Sequence, residues 1–178
     1  GIQVTDDDTG SVSACTTVTV NNLAPVITAF NAPVINEKGT ATISGTFTDV
    51  GTLDTHTVEI SWGDGSSSLA TVDPVTRTFT ATHQYLDDAP TATASDIYTI
   101  GIQVTDDDTS SVSAATTVTV NNVAPLITTF NSPVINEYGS ATISGSFTDV
   151  GTLDTHTVTI NWGDGTSSAA TVDSVART

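Results

Sequence analysis

Residues 1 to 78 align without a gap on residues 101 to 178, and only 15 of those 78 positions differ. This period of 100 residues constrains the fold more than any other feature of the chain. Solenoid units of roughly 20 to 50 residues cannot bury a core alone, whereas about 100 residues suffice for one self-contained β-sandwich. The boundaries fall at "NNLAP" (21 to 25) and "NNVAP" (121 to 125), where turn-prone Asn pairs precede a Pro that cannot donate to a ladder. On that phasing residues 1–20 are the C-terminal strands of a preceding repeat, and 21–120 form a complete sandwich domain. Residues 121–178 are the N-terminal strands of a following, incomplete repeat, so the chain reads either as a piece of a longer array or as a filament subunit whose tail strands complete a neighbour's copy.

Within the complete copy the hydrophobic pattern has a period of two. Ala41, Ile43, Gly45 and Phe47 share one face of "TATISGTFTD", and Thr42, Ser44, Thr46 and Thr48 share the other. The same alternation turns Val58, Ile60 and Trp62 inward before a Gly-Asp-Gly turn. It also groups Phe79, Ala81, His83 and Tyr85, then Tyr98, Ile100, Ile102 and Val104, then Val112, Ala114, Val118 and Val120. No segment sustains a 3.6-residue period. About seven β-branched strands punctuated by Gly, Pro, Asn and Asp predict an all-β fold of tandem antiparallel immunoglobulin-like β-sandwiches.

Twenty acidic residues stand against three basic ones, giving a formal charge of −17. Without Lys and Arg there is neither phosphate neutralisation nor counterion release, so nucleic acid and anionic membrane surfaces are poor partners. No apolar run is long enough to span a bilayer, which argues against direct membrane insertion. The single cysteine, Cys15, has Ala115 as its counterpart, so no disulfide forms within the chain. By parity with Val12, Ala14 and Val18 its thiol faces outward.

The string "ISWGDGSSS", then "THQY", then "IYTIGIQVTDDDTSSVSAATTVTV" resembles the polycystic-kidney-disease (PKD) domain. The matching positions are Trp62, Gly63, Asp64 and Gly65, then His83 and Tyr85, then Tyr98 and Asp106. The chain departs from that pattern where Trp62 directly precedes Gly63, and where "LDDAPTATASD" (86 to 96) lengthens a short loop. The resemblance implies an extracellular or cell-surface, non-catalytic module, found in tandem in surface proteins and secreted hydrolases.

Three adjacent aspartates, Asp106, Asp107 and Asp108, sit between two predicted strands, where like charges repel. In a sandwich of this topology the loop holding them lies at the end where the chain enters. That end also carries Asn21, Asn22 and the stretch from Asp49 to Asp54. Calcium takes about six to eight oxygen ligands, mostly from carboxylates, Asn or backbone carbonyls and water. Asn21, Asn22, Asp49, Asp54, Asp106, Asp107 and Asp108 are therefore the candidate Ca²⁺ ligands at a junction between domains. The alternative is a solvated acidic loop that caps turns through Asx hydrogen bonds.

Asp64 reads as a turn residue, with contact to the next linker as the sharper option. His83 and Tyr85 read as structural, the Tyr hydroxyl bonded to backbone as in a tyrosine corner. His56 lies beside Asp54 in sequence but has no nucleophile near it. No Gly-x-Ser-x-Gly, Walker-type loop or His-Glu-x-x-His occurs, so an enzyme is not expected. Lys38 beside Glu37 invites an isopeptide cross-link, yet the second copy has Tyr138 at that position. The expected function is a structural or adhesive module of a long surface protein, stalk or filament, rigidified by Ca²⁺. Its partners are neighbouring repeats or identical subunits, with a cell-surface or matrix ligand as a further option. A competing expectation is an accessory substrate-binding module of a secreted protease or glycosidase. That role needs an exposed aromatic platform, and the outward positions are mostly Thr and Ser.

Overall fold

The computed structural model describes residues 1–31, 33–89, 91 and 93–178. It is built of strands: β1 (Ile2–Thr5), β2 (Ser11–Ala14), β3 (Val26–Phe30), β4 (Val34–Asn36), β5 (Thr40–Thr48), β6 (His56–Ser61), β7 (Ser67–Leu69) and β8 (Thr71–Asp73). These are followed by β9 (Thr78–Gln84), β10 (Ser95–Asp106), β11 (Ser111–Asn121), β12 (Leu126–Phe130), β13 (Gly145–Thr148), β14 (Thr159–Asn161) and β15 (Ser167–Ala169). Among the described residues there is no helix, and hence none long and apolar enough to cross a membrane.

Strands β3 to β11 make two sheets, a five-stranded one ordered β4-β11-β10-β6-β7 and a four-stranded one ordered β3-β5-β9-β8. Between them lies one apolar cluster. Ala41, Ile43, Phe47, Phe79 and Ala81 come from the four-stranded sheet, while Val58, Ile60, Ile100, Ile102, Val104, Val118 and Val120 come from the other. Trp62 and Tyr85 close it just beyond their strands. This all-β, multi-sheet arrangement is consistent with a β-sandwich, and it rests on the period-two alternation: each buried residue is followed by one facing solvent or the rim. Burying a side chain of the size of Ile43 or Phe79 stabilises by about 1.5 to 3 kcal/mol.

Two ends follow from the strand directions. β5 (Thr40–Thr48) leads from Gly39 toward Asp49 and β11 (Ser111–Asn121) leads away from Ser110, so Asp49 and Ser110 lie at the entry end and Gly39 and Asn121 at the exit end. Pairing confirms the ends locally: the Tyr85 amide donates to the Gly39 carbonyl at 3.1 Å, and the Glu37 amide donates to the Asn121 carbonyl at 2.9 Å.

The flanking segments repeat the local pairing without the burial. β1 and β2 pair Ile2 with Ala14 as β10 and β11 pair Ile102 with Ala114. Yet Ile2 is 71% exposed where Ile102 is 1% exposed, and Trp162 is 37% exposed where Trp62 is 1%. Hairpin geometry is thus local in this sequence, whereas burial needs the second sheet.

Candidate metal centre

The sharp turn after β10 brings the entry-end carboxylates together. Asp106 ends the inward-facing series Ile102, Val104, Asp106, and is therefore carried into the rim of the core at 5% exposure. Its Oδ1 accepts the Ser110 amide at 2.8 Å, and Thr109 closes the turn with φ of 72°. Its Oδ2 accepts Nδ2–H of Asn22 at 2.7 Å, so the linker entering the repeat is tied to the turn. Asn22 also reaches Ser110 Oγ at 3.1 Å.

Asp49 follows β5 and is anchored on both oxygens. Oδ1 accepts the Gly51 amide at 3.0 Å, and Oδ2 accepts from His56 Nε2 at 2.7 Å, with both side chains almost fully enclosed. The His56 ring in turn packs at 4.8 Å from the Phe47 ring. Burial alone would raise the Asp49 carboxyl, but the His56 and Gly51 hydrogen bonds outweigh it and hold the group below the usual carboxylate range. Asp54 is the opposite case. Burial, followed by the charges of Asp49, Asp107, Asp108 and Asp106, pushes its carboxyl upward. Its Oδ2 is enclosed and has no hydrogen-bond partner among the described residues.

One oxygen each of Asp49, Asp54 and Asp106 lies within 4.8 Å of the other two. Of the seven candidates, then, Asp49, Asp54 and Asp106 converge, with Asn22 bonded to the last of them. Asp107 instead accepts the Thr55 amide at 3.1 Å, bridging the two entry-end loops, and is exposed. Asp108 and Asn21 are exposed, and neither side chain hydrogen-bonds to the cluster among the described residues. Three carboxylates and no sulfur make a hard, oxygen-only donor set.

Two supporting residues escape a reading of the sequence. His56 neighbours Asp54 in the chain, but the fold gives it to Asp49. Arg77 donates from NH2 to the Gly51 carbonyl at 2.8 Å and holds the loop from below, with its NH1 3.2 Å from the His56 ring nitrogen. A signal for Arg77 did exist. Arg77 and Arg177 are two of only three basic residues and stand one period apart, and Arg177 bonds to the Asp149 and Gly151 carbonyls at 2.8 Å each. The second copy also repeats the His–Asp pair, His156 to Asp149, at 2.7 Å.

Asp64 lies at the exit end. Its Oδ1 accepts the Ser66 amide at 2.9 Å, as a turn residue should, while Oδ2 accepts from His83 Nε2 at 2.6 Å. The Trp62 and His83 rings stack at 5.0 Å. The exposed thiol of Cys15 is free. In comparisons with known proteins, no family model matches the chain and no curated protein matches it.

Proposed function

We propose that this chain is a non-catalytic structural repeat: tandem immunoglobulin-like sandwiches of the PKD-like kind, spacing or assembling a long extracellular or surface protein, with Ca²⁺ stiffening the junctions. The observation that carries this reading is the bond from Asn22 to Asp106, inside a cluster with Asp49 and Asp54. A cation held there joins the incoming linker to two loops of the following domain, and so restricts the hinge between repeats. Near-identity of the copies supports the same reading, because spacing needs copies more than variety.

The test is thermal unfolding and small-angle scattering of the 178-residue chain in calcium chloride and after removal of calcium. Calcium is expected to raise the melting temperature and narrow the distribution of lengths. Unchanged melting and scattering would sink the calcium-stiffened junction.

A further inference from the structure

At the exit end of the complete repeat a different set of carboxylates meets the segment that follows. One oxygen each of Glu37, Asp87, Asp88 and Asp154 lies within 4.8 Å of all the others. Glu37, Asp87 and Asp88 are 2%, 9% and 5% exposed. Glu37 is fixed to the linker between copies, since its Oε1 accepts the Val123 amide at 2.7 Å. Its second oxygen, Oε2, is buried with no hydrogen-bond partner among the described residues, as are Asp87 Oδ1 and Asp88 Oδ2. Asp154 approaches from the other side on a loop that Gly151 keeps close. A Cβ on Gly151 would run into both Glu37 Oε2 and Asp154 Oδ2, which places those two oxygens around one small space. Among the described residues, no Lys or Arg forms an ion pair with any of the four.

Buried carboxylate oxygens without donors are costly, and three such groups with Asp154 beside them cannot all ionise in one space unless positive charge joins them. A divalent cation answers both demands at once. Calcium takes about six to eight oxygens, largely from carboxylates, whereas magnesium dehydrates reluctantly and keeps several waters. Four carboxylates gathered in one largely enclosed space suit the ion that accepts a shell made mostly of protein oxygens. We propose that consecutive repeats are locked together by a calcium-sized divalent cation held between Glu37, Asp87 and Asp88 of one repeat and Asp154 of the next.

This inference rests on the tandem-repeat reading above and adds Glu37, Asp87 and Asp88, which lie outside the entry-end cluster. The sequence period extends it. Asp154 is the counterpart of Asp54, whose own enclosed Oδ2 has no partner among the described residues and sits where the exit-end acids of an earlier copy would meet it. Asp154 also groups with Asp149 and His156. Each junction then carries two adjoining acidic seats that share one aspartate.

The experiment is calorimetric titration of calcium chloride into the calcium-stripped 178-residue chain, comparing wild type with Glu37→Gln, Asp154→Asn and Asp106→Asn. Gln at position 37 keeps an acceptor for the Val123 amide and removes only charge. Asp154 lies outside the buried core of the complete repeat, so Asp154→Asn carries the test should Glu37→Gln fail to fold. Glu37→Gln and Asp154→Asn are each expected to weaken the same binding step by roughly tenfold or more, with Asp106→Asn sparing that step. Wild-type titration by both exit-end variants overturns the inter-repeat seat, and a step lost only in Asp106→Asn leaves the entry-end reading standing alone. A step lost in the exit-end variants with Asp106→Asn unchanged supports the seat and removes the entry-end site instead. Magnesium chloride binding as tightly as calcium chloride would overturn the assignment of ion size.

Discussion

The phenolic hydroxyl of Tyr85 donates to the backbone carbonyl of Trp62 at 2.6 Å, inside the exit end of the core. Tyr85 is 2% exposed, and burial pushes its phenol well above the ordinary value, so it stays a donor at any working pH. Tyr85→Phe leaves that carbonyl buried and unpaired. It is expected to lower unfolding stability by about 1 to 3 kcal/mol, read from urea denaturation with an unchanged denaturant slope. A loss under about 0.5 kcal/mol would mean that the bond adds nothing over solvation.

Gly45 sits mid-strand in β5 because the ladder allows no side chain there. A Cβ would lie 2.5 Å from the Ala29 carbonyl oxygen and 2.5 Å from the Phe79 ring. The carbonyl is backbone, beside the register shift between Ile27 and Ala29, and cannot swing away. Gly45→Ala should cost about 1 to 3 kcal/mol through overpacking, against the small gain that Ala in place of Gly brings elsewhere. A stabilised variant in thermal melting would refute the clash.

His56→Ala removes the donor from an enclosed carboxylate. The loss should be about 1.5 to 3 kcal/mol at neutral pH, and the acid limb of the stability curve should become shallower, because Asp49, no longer held below its ordinary range, stops contributing to the acid-side loss. Denaturant titrations at several pH values give both quantities. An unchanged acid limb would show that His56 does not set the Asp49 titration.

The two kinds of carboxylate predict opposite pH trends. Burial comes first in raising Glu37 above 4.5 and Asp54, Asp88 and Asp154 above 3.8, with neighbouring acids adding to it. Groups held more tightly protonated in the native state give stability that is complete below the ordinary values and lost as pH rises through the raised ones. In calcium-free solution the melting temperature should therefore rise as pH falls through the raised values toward the ordinary ones. Asp49 and Asp64 have lowered carboxyls, so their contribution exists above 3.8 and disappears as pH falls through the values to which they are held. In calcium chloride the acid-side gain should reverse, because protons then displace the ion. Calorimetric scans across pH show the difference, and a flat calcium-free profile would contradict it.

The inward-facing residues were legible from alternation alone: Ile43, Ile60, Trp62, Ile102 and Val104 all lie in the core. Period two fixes the face of a strand wherever one side is buried. Asp106 could be placed for the same reason, as the next inward position after Val104. The partner of His56 was not legible, because the loop from Asp49 to Thr55 folds back and brings position 49, not the adjacent 54, against the ring. The exit-end acids were less legible still. Glu37 and Asp87 are far apart in the chain, Asp87 and Asp88 lie in an irregular loop with no period to read, and Asp154 belongs to another copy.

The pairing of β4 with β11 is parallel, through Val34 with Thr119, Ile35 with Val120 and Asn36 with Asn121. In a tandem array, a pull between Asn22 and Val123 would load β3 against β5 and then draw β4 and β11 past each other. The hydrogen bonds of all three pairs then carry the load together in shear, instead of parting one by one as in a peeled hairpin. Under such a pull the breaking force, and not only the melting point, would follow from the strand order.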